Sequence, residues 1–253
     1  MKKLLVLLVA VCAVSVLAES TVLKVIDFET SEGYTAGDVI GQNGWYKIYS
    51  GPDRQIVVND PTVAPSGSQY LTHNPENQYG PNSATKFDIS GSYVAGCKLL
   101  ISWDQAGYVS DNSYIKLHNL GDSGKDYDVE IAEIIINKDG YVSITATRAD
   151  KSSTFTKGVS LADVTAFHHF TLLIDPATRG IKEYTVDGNV VADLTDTYYK
   201  NEKDGKPYGG DLIDGVRFMN RGSFDNFKVE MVPEPAAFAL IALLGLFFAR
   251  KQR

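Results

Sequence analysis

Cysteine, tryptophan and histidine are all scarce in this chain: two, two and four among 253 residues. Cys12 lies inside the first apolar run, following Val11, so it does not sit where a lipidated cysteine would stand. It leaves with that run, and Cys97 remains as the one thiol of the mature chain, so no intramolecular disulfide can form. Stability must come from a packed core or a bound ion. Cationic excess is also lacking. The formal net charge is −7, and Lys2, Lys3, Arg250, Lys251 and Arg253 all fall in the terminal segments, so the middle is more acidic still. That excludes nucleic acid and anionic lipid as main partners, since both need cationic patches.

Amphipathic helical periodicity of useful length is missing too, and long apolar runs occur only at the two ends. At the N-terminus, Met1-Lys2-Lys3 precedes Leu4 to Leu17, and Val16-Leu17-Ala18 carries the pattern a signal peptidase reads, with cleavage expected after Ala18. The remaining sequence up to Met231 is long enough for one sandwich with a sizeable core.

Alternation of apolar and polar residues marks strands at Lys98 to Asp104, Tyr141 to Thr147 and His168 to Asp175. Turn chemistry punctuates them. Asn137-Lys-Asp-Gly140 and Asp175-Pro-Ala-Thr-Arg-Gly180 join strand pairs, and Asp187-Gly188 closes a tight hairpin into Val190-Val191. About a dozen strands are expected, with one short helical turn over Ser160 to Thr165, capped by Ser160 with Asp163 three residues on. No internal repeat is visible. The expected fold is all-β, a two-sheet antiparallel jelly-roll sandwich over residues 19–231.

The run from His169 to Ala192, with its Tyr184-Thr-Val-Asp-Gly188 hairpin, resembles the concanavalin A-like and laminin-G-like superfamily. Ile26-Asp-Phe-Glu29 with Gly41-Gln-Asn-Gly-Trp45, and Phe224-Asp-Asn-Phe-Lys-Val229, resemble the first and last strands of such domains in exported bacterial proteins. The resemblance covers most of residues 22–231 and supports a fold rather than an activity.

Val232-Pro233-Glu234-Pro235 is followed by apolar Ala236 to Ala249 and then by Arg250-Lys-Gln-Arg253. As a helix the apolar run spans about 21 Å at roughly 1.5 Å per residue, short of a hydrocarbon core of roughly 30 Å. The basic end would hold the terminus in the cytoplasm. Motif, short helix and basic end together resemble a PEP-CTERM sorting segment over residues 232–253. The resemblance implies transient membrane insertion through residues 236–249, an exosortase partner that cuts near Pro233-Glu234-Pro235, and an exported bacterial protein at the cell surface or in a matrix of extracellular polysaccharide. The alternative is a simple tail anchor.

Three groupings bear on chemistry. Asp128, Glu130 and Glu133 are similar to the Glu-x-Asp-x-x-Glu triplet of laminarinase-type glycoside hydrolases, in which a bulge turns all three acids into the cleft. Here the order of Asp and Glu is reversed. Without a bulge Asp128 and Glu130 share one face and Glu133 the other, so the acids are expected not to converge. Asp27, Glu29 and Asp225 could hold a structural Ca²⁺ if the first and last strands meet, with Asp225 expected on the side of Phe227 and Val229. A sugar surface needs aromatic faces, which Trp45, Tyr46, Tyr49, Tyr198, Tyr199 and Tyr208 could offer. No Gly-x-Ser-x-Gly elbow is present, and His168 and His169 alternate across a strand and so cannot share one metal. The expected function is a non-enzymatic exported protein associated with glycans. A glycoside hydrolase and a purely structural surface protein are the alternatives.

Overall fold

The computed structural model describes residues 20–48, 55–76, 82–119, 130–148, 153–191, 194, 196–199, 202–203, 206–207 and 210–233. The signal segment 1–18, the apolar tail 236–249 and the candidates Tyr49, Asp128, Tyr208, Glu234 and Pro235 lie outside the described residues.

Strands dominate. In chain order they are β1 (Thr21–Ile26), β2 (Gly37–Asp38), β3 (Tyr46–Lys47), β4 (Gln55–Asn59), β5 (Gln69–His73), β6 (Asn82–Lys86), β7 (Lys98–Ala106), β8 (Ser113–His118), β9 (Glu130–Ile136) and β10 (Tyr141–Arg148). They continue with β11 (Ser153–Ser160), β12 (His168–Asp175), β13 (Gly180–Val186), β14 (Asn189–Val190), β15 (Thr197–Tyr198), β16 (Glu202–Lys203), β17 (Lys206–Pro207), β18 (Gly215–Asn220) and β19 (Ser223–Val232). All pairings are antiparallel, and the chain is all-β.

One layer is ordered β1-β19-β7-β12-β13-β14, with β5, β4 and β2 continuing from the first part of β19. The other is ordered β3-β6-β18-β8-β9-β10-β11. β15 pairs with both β10 and β13 and so joins the two layers along one edge. The first and last strands meet, from Thr21 opposite Met231 to Ile26 opposite Phe227.

Alternation along each strand sends one set of side chains into the core. Ile101, Trp103, Phe170, Leu172 and Tyr184 come from one layer, and Ile115, Leu117, Ile134, Ile144 and Phe218 from the other, all buried. Trp103 stacks on Phe170 with centroids 5.4 Å apart. Each fully buried side chain of this kind contributes roughly 1.5–3 kcal/mol, which is how a sandwich with one buried thiol, Cys97, holds without a disulfide.

The turns follow their residues. Asp187 and Gly188 both take positive φ, 50° and 75°, as a two-residue hairpin of the primed type requires. Asn137 Oδ1 accepts from the amides of Asp139 and Tyr141 and so shapes the β9–β10 turn. The helical turn expected over Ser160 to Thr165 does not form. Ser160 ends β11, and Asp163 Oδ1 instead accepts from the Thr165 amide and hydroxyl, the local competition with helix that Asp favours. Among the described residues the helical content is one 3-10 turn, Thr30–Glu32.

Candidate functional site

Two bulges decide where the acids go. In β19 the register shifts between Asp225 and Lys228, and Asn226 takes φ 52°. Here β19 changes partner, from β5 at Ser223 and Phe224 to β1 beyond. The bulge reverses the expected face of Asp225. Phe224, Phe227 and Val229 point into the core, whereas Asp225 pairs with Asp104, which alternates with the core residues Trp103 and Gln105. Asp225 is nevertheless only 1 % exposed, and neither of its carboxylate oxygens has a well-aligned hydrogen-bond partner, the adjacent Asn226 amide offsetting burial only in part. Burial, reinforced by the nearby charges of Asp104, Asp27 and Glu29, pushes its carboxyl up to about 8.

The other acids of this junction are engaged. Asp27 Oδ1 accepts from the Glu29 amide at 3.1 Å, a bond made possible by Phe28 at φ 59°. Glu29 accepts from the Ser68 amide and hydroxyl and from the Gln69 amide. Burial opposes its ionisation, but these donors outweigh burial and hold the carboxyl below its ordinary value. Asp104 binds His169 Nδ1 at 2.7 Å and the Asn226 side-chain amide. Among the described residues no three His, Cys, Asp or Glu side chains stand so as to share a metal ion. Asp27 and Glu29, two of the three acids expected to share a Ca²⁺, are committed to backbone donors in this conformation, which leaves Asp225 apart from them.

The second bulge lies in β9. His118 pairs with Glu130 and Leu117 with Ala132, which leaves Ile131 as the extra residue. Glu130 is thereby turned onto the face that Glu133 shares with Lys116. The expectation that these acids do not converge is corrected for this pair. Lys116 Nζ lies 2.7 Å from Glu130 Oε1 and 3.3 Å from Glu133 Oε2, with all three side chains largely buried. The ladder continues the row: Lys116 is opposite Arg217, and Arg217 is opposite Ala84, itself opposite Tyr46. Arg217 is 2 % exposed and donates from Nε to Asn82 Oδ1. This outward face of the second layer is thus recessed and polar, with Tyr114 one register step away and Tyr46 at its edge under the Lys86 ammonium, 5.8 Å from the ring centroid.

The aromatic candidates separate. Trp45 is buried at 2 % exposure, stacked on Phe218 at 5.5 Å, with its indole N–H donating to Tyr34 Oη at 2.8 Å. Tyr199 is buried at 1 %, carries the Arg179 guanidinium 5.6 Å from its ring, and donates to the Asp211 carbonyl. Both rings are core or supporting residues with no free face for a sugar. Tyr46 and Tyr198 keep partial exposure. His168 binds Asp187 and the Asp163 carbonyl, so the two adjacent histidines serve separate carboxylates. Lys116, Arg217 and Tyr114 were missed in the sequence because a face is defined by neighbours in other strands, and alternation alone does not reveal them.

No protein-family model and no curated protein sequence matches the chain. Several solved structures align over much of it at low identity. A Bacillus subtilis carbohydrate-binding module, CBM66, aligns over 75 % of this chain and 97 % of its own, with 10 % identity and a TM-score of 0.43. The Caenorhabditis elegans galectin LEC-6 covers 75 % of this chain and 98 % of its own, with 11 % identity and a TM-score of 0.36. A Clostridium perfringens endo-β-galactosidase covers 84 % of this chain and 62 % of its own, with 12 % identity and a TM-score of 0.46.

Proposed function

We propose that this is a non-enzymatic exported bacterial protein that associates with extracellular glycans and loses both terminal segments during export. The observation that carries the non-enzymatic part is Lys116, whose ammonium serves Glu130 and Glu133 together. A glycosidase pair needs one carboxyl to carry a proton and the other to stay charged. One buried cation shared by both acids is a closed ion network, suited to holding a face rigid and offering hydrogen bonds. Tyr46 and Tyr114, flanking that network on the same face, support the glycan part. The export reading rests on residues 1–18 and on Pro233-Glu234-Pro235 with the apolar and basic stretch behind it. In this reading an exosortase is the processing partner. A Ca²⁺ ion held through Asp225, with backbone carbonyls as further ligands, is part of the same proposal and would supply charge compensation alone. The test is a glycan-array screen of residues 19–232 with and without Ca²⁺. Binding to at least one neutral glycan is expected, and an empty array would count against the reading.

A second reading is favoured by one observation. The Ile131 bulge brings Glu130 and Glu133 to one centre, the arrangement a retaining glycosidase needs. Hydrolysis of a glucan that is abolished by Glu133→Gln would establish it.

A further inference from the structure

A cleft of ≈ 720 Å³ lies between residues 86–90 and 210–214. We propose that it is a glycan subsite that takes a neutral pyranose segment; this rests on the glycan-associated reading above. Its size falls in the range of sites that hold small molecules.

The walls are pinned before any ligand arrives. The Phe87 amide donates to the Asp214 carbonyl at 2.9 Å, tying the two segments together. Gly210 donates to the Asn119 carbonyl at 2.8 Å and accepts from the Asn119 side-chain amide. Tyr199 braces the same wall through its hydroxyl bond to the Asp211 carbonyl. A pre-formed cleft spends little binding energy on ordering itself.

Its chemistry is two-sided. Phe87 and Leu212 line it with half-buried apolar surface, and Asp88, Asp211 and Asp214 supply carboxylate acceptors. Apolar surface next to carboxylate oxygens matches a ligand with a C–H face and many hydroxyl donors, which describes a pyranose. Asp88, Asp211 and Asp214 outnumber the lining cation Lys86 even with Arg179 3.7 Å from Asp211, so the cleft disfavours a uronate or a sulfated sugar.

The experiment uses the full chain in mild detergent and titrates four hexasaccharides: a β-1,3-glucan, a β-1,4-glucan, an N-acetylglucosamine oligomer and an alginate. Ser90 is exposed at the cleft lip, where both its backbone amide and its side chain hydrogen-bond Asp88. Ser90→Trp should fill the cleft and weaken binding of a neutral oligomer at least tenfold. Asp211→Ala, at an exposed rim position, should weaken it severalfold and serves if the tryptophan variant does not fold. Alginate should not bind. Neutral binding that survives both blocking variants would overturn the cleft and leave the glycan reading standing. Failure of all three neutral oligomers to bind would overturn both. Alginate binding lost in Ser90→Trp would overturn the neutral-ligand assignment.

Discussion

Asp225 lies directly opposite Asp104 across the β19–β7 ladder, so two carboxylates from adjacent strands face the same side, and the more buried of them has no well-aligned hydrogen-bond partner. This arrangement has a defined pH signature. The folded-state value of Asp225 is raised to about 8, above the ordinary value of 3.8, so the folded protein holds a proton that the unfolded chain has released. Stability from this group is full below about pH 4 and is lost as pH rises toward 8, with a slope of at most about 1.4 kcal/mol per pH unit. In chelator, the melting temperature corrected for other titrations should therefore fall between pH 5 and pH 8. Asp225→Asn should flatten that part of the profile. Added Ca²⁺ should raise the melting temperature most at the alkaline end, where it competes with no proton. A profile indifferent to both the substitution and Ca²⁺ would leave Asp225 without the role argued for it.

Lys116 is the second point of leverage. Lys116→Met removes the cation shared by Glu130 and Glu133 and leaves two largely buried acids side by side, a loss of about 3 kcal/mol or more. Urea unfolding should show it, and adding Glu130→Gln with Glu133→Gln should recover part of the loss. A single variant within a few tenths of a kcal/mol of the parent would mean that the network is not structural.

Gly67 tests the acidic junction from the other side. Its φ is +63°, and a methyl group there would overlap Glu29 Oε1. Gly67→Ala should cost about 1–3 kcal/mol through backbone strain and displacement of the Glu29 carboxylate from Ser68 and Gln69. Gly188→Ala, at φ +75° with open space around it, has comparable strain without the collision, so the difference between the two in thermal melts reports the Glu29 contact.

Processing makes a prediction that needs no fold. Intact mass of the protein from its native host should show loss of residues 1–18 and of the stretch from Ala236 to Arg253. A mature protein still carrying the apolar tail would remove the exosortase from the account.

Individual strands and the turns between them were readable from residue type, because each depends on local chemistry. Asp187-Gly188 has to turn, Asn137 has to cap, and Lys98 to Asp104 alternates. What lay beyond the sequence was the face on which a polar side chain ends up. One extra residue at Ile131 carries Glu130 across the sheet to Lys116, and a left-handed Asn226 carries Asp225 away from Phe227. Asn226 tolerates the left-handed conformation of its bulge, but no residue type marks the one at Ile131, and both are fixed by the register that neighbouring strands impose. Burial of Trp45 under Phe218 and of Tyr199 beside Arg179 is likewise a property of partners brought from distant strands and loops. Sequence alone determined where strands alternate and where the chain turns. Tertiary structure decided which charges meet, because in a sheet a shift of one residue exchanges inside for outside.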